Sequence, residues 1–337
     1  MTLYDLIVIG AGAAGIFAAR LALAAGQRVL VVEKRNAPLA KVRVSGGGRC
    51  NVTHACFDPR EFASNYPRGH KELIGPLHRF GAEQTINWFA LQGVTLKTEK
   101  DGRMFPTTDN SQTIIDSLLS GIEEIAYCTN ITTLEKTERG FRVNDFETKR
   151  LLIATGSSPQ GYAWAKQFGH TITPLIPSLF TFNVPKSPLL SYSGIAINPV
   201  QVKVGSYEQI GPILITHFGF SGPAIIKLSA WAAAELHASN YHAELVIDYL
   251  NAPLSKRLRK IEPLPTHFQI EGKTTNKEEF VTCGGVCLKE IDFRTMESKL
   301  CKGLHFAGEI LDIDGITGGF NFQNAWTTGY ICANASI

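Results

Sequence analysis

No stretch of this chain is apolar for long enough to cross a membrane, because the alanine-rich run Ala14–Ala25 is short and carries Arg20. The opening MTLYDLIVIGAGAAG lacks the basic start of a secretion signal, and Asp5 precedes its apolar run. Seven cysteines, an odd number scattered through 337 residues, do not form a disulfide framework. Cys283 and Cys287 have no second pair at metal-ligand spacing, so no metal is expected. Charge of one sign is scarce too: the net charge of +3 gives no reason to expect a nucleic-acid or membrane partner. The basic run Lys256, Arg257, Arg259 and Lys260 reads as a solvated face. No internal repeat or low-complexity tract is present, and no second Gly-x-Gly-x-x-Gly follows a strand. These absences leave a cytoplasmic globular protein acting on a small molecule. They set no oligomeric state.

What is present is α/β patterning at both ends of the chain. Leu6, Ile7, Val8 and Ile9 form a continuous apolar run, the signature of a strand buried on both faces of a parallel sheet. A glycine turn follows, then an alanine-rich helix to about Ala25, and then a second apolar strand, Val29–Val32. A glycine-rich and basic loop is expected over Lys41–Asn51, helical sequence over Glu72–Leu91 and Ser111–Ile125, and an antiparallel pair at Ile131–Leu134 and Gly140–Asn144. A buried strand, Leu151–Ala154, ends in Thr155-Gly156. Near Ser157 the composition shifts to proline and short β-like runs with one helix near Ala224–Ala238. Strand-turn-helix patterning returns at Gly303. The expected architecture is therefore a discontinuous Rossmann-type dinucleotide domain, residues 1–157 and 285–337, with an inserted β-rich domain, residues 158–284.

The chemistry begins at Gly10-x-Gly12-x-x-Gly15. The first glycine permits the tight turn, the second lets main chain approach a pyrophosphate, and the third lets helix and strand pack closely. Ala13 and Ala14 open the helix, whose N–H groups and dipole favour phosphate. Glu33 ends the next strand, where a carboxylate can accept hydrogen bonds from a ribose, with Lys34 beside it. This pattern fixes a dinucleotide site but leaves FAD and NAD open, and with them an FAD oxidoreductase, a NAD-dependent dehydrogenase and a tRNA-modifying flavoprotein.

Further motifs occur in order: Ser45-Gly-Gly-Gly-Arg-Cys-Asn51-Val-Thr53, Gly102-Arg-Met-Phe-Pro106, Thr216-His-Phe-Gly-x-Ser-Gly-Pro223, Gly284-Gly-Val, Thr295-Met-Glu-Ser-Lys299, and Gly308-Glu-x-x-Asp312 through Gly318-Gly-Phe-Asn321. Over nearly its whole length the chain resembles the HI0933-like flavoproteins, the BaiN/aminoacetone-oxidase-like FAD-dependent oxidoreductases. The resemblance implies FAD in a GR2-like Rossmann domain, an inserted barrel-like domain, and hydride transfer between flavin and a small organic substrate, as in enone reduction or amine oxidation. With no second dinucleotide motif, the electron donor is either NAD(P)H that binds transiently or a reduced organic substrate. The resemblance also implies a helical segment in the insertion for which Tyr249–Gly284 leaves little room.

On this reading Lys41, Ser45, Gly46, Gly47, Gly48, Arg49, Cys50 and Asn51 lie against the cofactor, with Arg49 balancing phosphate charge. Ile131 meets the adenine through its main chain, and Ala154, Thr155 and Gly156 pass the adenosine and pyrophosphate. Gly308, Glu309 and Asp312 meet ribityl or ribose hydroxyls. Gly318, Gly319, Phe320 and Asn321 bring a helix N-terminus to the flavin pyrimidine ring, where negative charge develops on reduction. His217, whose ordinary pKa lies near neutrality, is a candidate proton donor. Cys50 is a candidate redox thiol.

Overall fold

A computed structural model describes residues 3–275 and 281–335. Strand β1 (Leu3–Ile9) lies at the centre of a mainly parallel sheet, between β2 (Val29–Val32) and the strand Phe146–Ile153. Leu6, Ile7 and Val8 are wholly buried there, which explains their uninterrupted apolar run. Helix α1 (Ala13–Ala24) makes the crossover from β1 to β2 and buries Ile16, Phe17, Ala18 and Ala19. The sheet continues past β2 to Ile125–Ala126. On the other side, Phe146–Ile153 divides its edge. Its first half carries the antiparallel hairpin Leu134–Thr137 and Gly140–Val143, and its second half pairs in parallel with Leu304–Phe306. The C-terminal segment thus completes a sheet begun by the N-terminus. The helix Phe320–Ala333 follows, with Trp326 wholly buried.

Two compact units result, one of residues 1–175 with 284–337 and the other of residues 176–283. Residues 158–175, which composition assigns to the insertion, pack with the first unit. The helix Pro159–Gln167 sets Gln167 Nε2 2.7 Å from the Leu134 carbonyl, Phe168 stacks edge-on with Phe141, and His170 Nε2 stands 2.7 Å from Ser298 Oγ. The composition shift marks the loop leading to this helix, and the packing boundary falls later.

In the second unit, antiparallel pairing joins seven strands in the order 267–271, 242–248, 196–204, 207–215, 219–221, 181–183 and 273–274. The helix Pro223–Trp231 packs on them around a core that includes Phe180, Phe182, Phe220, Ile225 and Leu228. Burying each such side chain contributes about 1.5–3 kcal/mol. The expected single helix is two, Pro223–Trp231 and Ala233–Ala238. Among the described residues no helix is long and apolar enough to cross a membrane, and no cluster of side chains could hold a metal.

Candidate cofactor site

The glycine turn after β1 is as tight as its spacing implies. Gly10 has a φ of +104°, and a Cβ there would stand 2.7 Å from the Ala154 carbonyl oxygen. At Gly15 a Cβ would overlap the Gly10 carbonyl oxygen and press on Val8, so helix α1 can lie flat on β1 only with glycine there. In front of Gly12 the nearest such neighbour is the Ala154 oxygen at 3.9 Å, which leaves room for a ligand. Glu33 closes the turn: one carboxylate oxygen accepts from the Ala11 N–H at 2.7 Å and the other from the Arg35 N–H at 2.8 Å. Lys34 beside it is exposed. Thr129 N–H donates to the Glu33 carbonyl at 3.0 Å. Two residues on, Ile131 lines a cavity of about 340 Å3 with Thr132, Thr133, Gln160 and Trp164.

The next wall is the end of the neighbouring strand. Ala154 N–H donates to the Ile9 carbonyl, and Gly156, at φ +59°, passes close to the Glu309 carboxylate. Glu309 pairs with Lys41, so residues far apart in sequence meet at the sheet's carboxyl edge. Gly308 packs against Ala14 of α1 and donates its N–H to Thr328 Oγ1 at 2.9 Å. Burial raises the Asp312 carboxyl above the usual carboxylate range, against hydrogen bonds from Thr173 and from the Gly284 main chain. Asp312 Oδ1 and Thr155 Oγ1 are buried without a hydrogen-bond partner among the described residues. A carboxylate oxygen and a hydroxyl in this state can be satisfied by a ligand that carries hydroxyl groups.

The segment read as a loop over Lys41–Asn51 contains α2 (Ala40–Gly48), whose backbone leaves the helix at Ser45. Gly46, Gly47 and Gly48 then adopt φ values of +60°, +69° and +82°, a left-handed run that favours glycine. Nothing stands within 4 Å of a Cβ built on Gly47 or Gly48, so this main chain can be approached closely. Two expectations fail here. Arg49 is not left to face a phosphate: it donates to Glu99 at 2.6 Å, reaches Asp109 at 3.5 Å and lies 4.0 Å over the Phe105 ring. Cys50 is wholly buried, and burial pushes its thiol up to about 12, so it stays protonated and is no redox nucleophile near neutral pH.

Asn51 joins this segment to the chain's far end. With its amide nitrogen directed at the Thr53 and Met104 carbonyls, Asn51 Oδ1 accepts from Gly319 N–H at 2.9 Å. His54 Nδ1 lies 3.1 Å from the Gly318 carbonyl, Thr53 Oγ1 donates to Gln323 at 2.6 Å, and Trp326 Nε1 donates to the Val52 carbonyl at 2.9 Å. Gly319 takes a left-handed φ of +95° because the Thr53 main chain leaves no space for a Cβ, and the helix starts at Phe320. Asn321 clasps the turn by bonding both the N–H and the carbonyl of Gly315. Phe320 is buried, with its ring stacked on His54 at 4.8 Å.

Sequence reasoning missed His54, Tyr66, Arg68 and Asp314, which hold this turn. Asp314 lies within a recognised motif, but its partner Arg68 is 246 positions away and belongs to none. His217 lies in the second unit, at the exposed turn between the strands Tyr207–Ile215 and Gly219–Ser221, where Thr216 Oγ1 accepts from Gly219 N–H at 3.1 Å.

Comparison with known proteins agrees with this geometry. A family model described as the HI0933-like protein Rossmann domain matches residues 4–335. Ribosomal RNA dihydrouridine synthase of Escherichia coli K12 is 29% identical over 400 aligned residues, spanning 100% of this chain and 99% of that one. Set against the 337 residues here, that alignment leaves 63 positions without a counterpart. The 3-dehydro-bile acid delta(4,6)-reductase of Clostridium scindens is 26% identical across 98% of both chains. Among solved structures, 3-ketosteroid-delta4-(5alpha)-dehydrogenase from Rhodococcus jostii RHA1 shares the fold at a TM-score of 0.57 and 12% identity, covering 98% of this chain and 97% of that one. The chain belongs to the HI0933-like family and is an FAD-dependent oxidoreductase whose Rossmann domain draws on both ends of its sequence.

Proposed function

We propose that this enzyme saturates a carbon–carbon double bond conjugated to a carbonyl group. Two relatives aligned over almost the whole chain support the reading, because their names describe one chemistry on different substrates. Making dihydrouridine saturates the C5–C6 bond of a uracil ring, and a delta(4,6)-reductase acts on double bonds conjugated to a 3-keto group. In both, the carbonyl accepts the charge that hydride addition creates.

Bound FAD supplies the two-electron donor. The chain's own residues bind and orient it: the Gly10–Gly15 turn and the start of α1 take the pyrophosphate, and Glu33 takes the adenosine ribose. Glu309 and Asp312 would accept from its hydroxyls, and the main chain of Gly46–Gly48 and the helix start at Phe320 would hold its ring. Saturation also needs a proton on the carbon next to the carbonyl. The Cys50 thiol is too weak an acid and too deeply buried to give it, which leaves His217, exposed in the second unit, as the candidate that the sequence offers for the test below.

The reading is tested by reducing the enzyme anaerobically with NADH or NADPH and mixing it with a 4-en-3-one steroid, a ribosomal RNA transcript or a small primary amine. Flavin reoxidation with formation of a saturated ketone or of dihydrouridine supports the proposal and separates the two substrate classes. Reoxidation by neither, together with reduction of the oxidised flavin by the amine, overturns it in favour of an amine oxidase. His217→Ala is expected to slow reoxidation by substrate about 10²-fold or more while leaving reduction by the nicotinamide unchanged. Equal reoxidation rates remove His217 from the mechanism.

A further inference from the structure

Asp314 is wholly buried, and it lies in the turn that leads to the Phe320–Ala333 helix. Arg68 grips it with both arms of its guanidinium: Nε donates to Oδ1 at 2.5 Å, and Nη2 pairs with Oδ2. The two residues also form a main-chain bridge. On either side the same two segments are tied again. Ile316 N–H donates to the Asn65 carbonyl at 3.0 Å, and Tyr66 Oη donates to the Phe320 carbonyl at 2.6 Å. Residues 65–68 therefore form a strap along residues 314–320, ending where Gly318 and Gly319 start the helix.

A carboxylate taken fully out of water costs several kcal/mol unless it is paired, and replacing such a pair by apolar groups is often neutral or stabilising. Packing alone therefore does not account for an ion pair at this place. We propose that Arg68 and Asp314 are a positioning pair that sets how strongly the bound flavin holds electrons. The proposal rests on the reading that this helix start faces the flavin pyrimidine ring. Negative charge grows there on reduction, and the helix dipole favours it. The Arg68 charge acts in the same sense, and Asp314 offsets it, in surroundings that screen charge weakly.

The two members therefore act with opposite sign. Asp314→Asn keeps the shape and an acceptor for Arg68, and it removes one negative charge from beside the Arg68 guanidinium. It is expected to raise the ratio of affinities for reduced over oxidised FAD about tenfold, which is about +30 mV for a two-electron couple. Arg68→Gln is expected to lower that ratio by a similar factor, and Arg68→Lys, which restores the charge, to bring it back towards the parent value. Asp5→Asn is the control: it breaks the Lys149 pair at the start of β1, the end of the strand opposite the glycine turn, and is expected to leave the ratio unchanged.

The measurement is the flavin midpoint potential of each holoenzyme against a reference dye, with thermal stability recorded alongside. If the strap is only structural, stability and both affinities fall together while their ratio stays fixed. That result, in Asp314→Asn or, should that variant not fold, in Arg68→Gln, overturns the proposal. An Asp5→Asn shift as large as that of Asp314→Asn overturns it too. A parent protein that holds FAD while the ratio fails to move refutes the pair's role alone. A parent protein that holds no FAD refutes the reading beneath it.

Discussion

The Glu33 carboxylate already accepts from the Ala11 and Arg35 N–H groups, and on the proposed reading a ribose adds its hydroxyls to the same oxygens. Each charge-assisted bond of this kind is worth about 1.5–3 kcal/mol. Glu33→Ala is therefore expected to weaken FAD binding roughly 10- to 150-fold in a fluorescence titration, and an unchanged dissociation constant would exclude Glu33 from the site. Cys50 makes the opposite case. Its sequence context, between Arg49 and Asn51, suggested a reactive thiol, yet burial holds it protonated. Iodoacetamide at pH 8 should label exposed Cys128 and spare Cys50 in the folded protein, as read by peptide mass spectrometry. Glu33 was legible because its strand-end position follows from spacing alone. The environment of Cys50 was not, because it depends on folding of distant segments around it. The same reason hid Arg68 and Asp314, whose pairing is fixed only when the chain's two ends meet.

Elements show a similar division. β1, α1 and β2 were legible because each buries an apolar run of the right period, and Gly10 marks the turn between them. Gly10→Ala would place a Cβ 2.7 Å from the Ala154 oxygen at a φ that L-residues rarely adopt, and the strain is about 1–3 kcal/mol. A lowered melting temperature together with lost FAD is expected, and a variant with parental stability would contradict the tight turn. The glycines of Ala40–Gly48 mask in the sequence a helix that ends in a left-handed run. The strand Leu304–Phe306 carries a pH dependence of its own. Burial, aided by Arg150, depresses His305 to about 4. The unfolded chain, with an ordinary pKa near 6.5, therefore binds this proton first as pH falls. Stability from this group is complete above about 6.5 and is lost as pH drops towards 4, by on the order of 2–3 kcal/mol. His305→Asn, which retains a donor for the Thr295 carbonyl, is expected to flatten the urea midpoint over that range. A slope equal to the parent's would place the dependence elsewhere.

At the scale of the whole molecule, the chain leaves its dinucleotide domain for residues 176–283 and returns to finish the same sheet. The return was legible from the reappearance of strand-turn-helix patterning at Gly303. The exit falls later than the composition shift at Ser157, because a proline-rich composition does not show that Tyr162 and Trp164 are buried in the first unit. The second unit passes from Asp248 to His267 with only the short turn Leu258–Lys260 between its strands, in a chain that aligns with longer relatives. Within the first unit the Ser45–Asn51 segment meets the Gly318–Asn321 turn through Asn51 and Gly319, at the place proposed for the flavin. The most direct test is the absorbance spectrum and flavin content of the purified chain before and after incubation with FAD. A yellow protein carrying equimolar FAD, and a Glu33→Ala variant that loses it on gel filtration, are the expected results. A colourless protein that takes up no FAD when offered an excess would contradict the account.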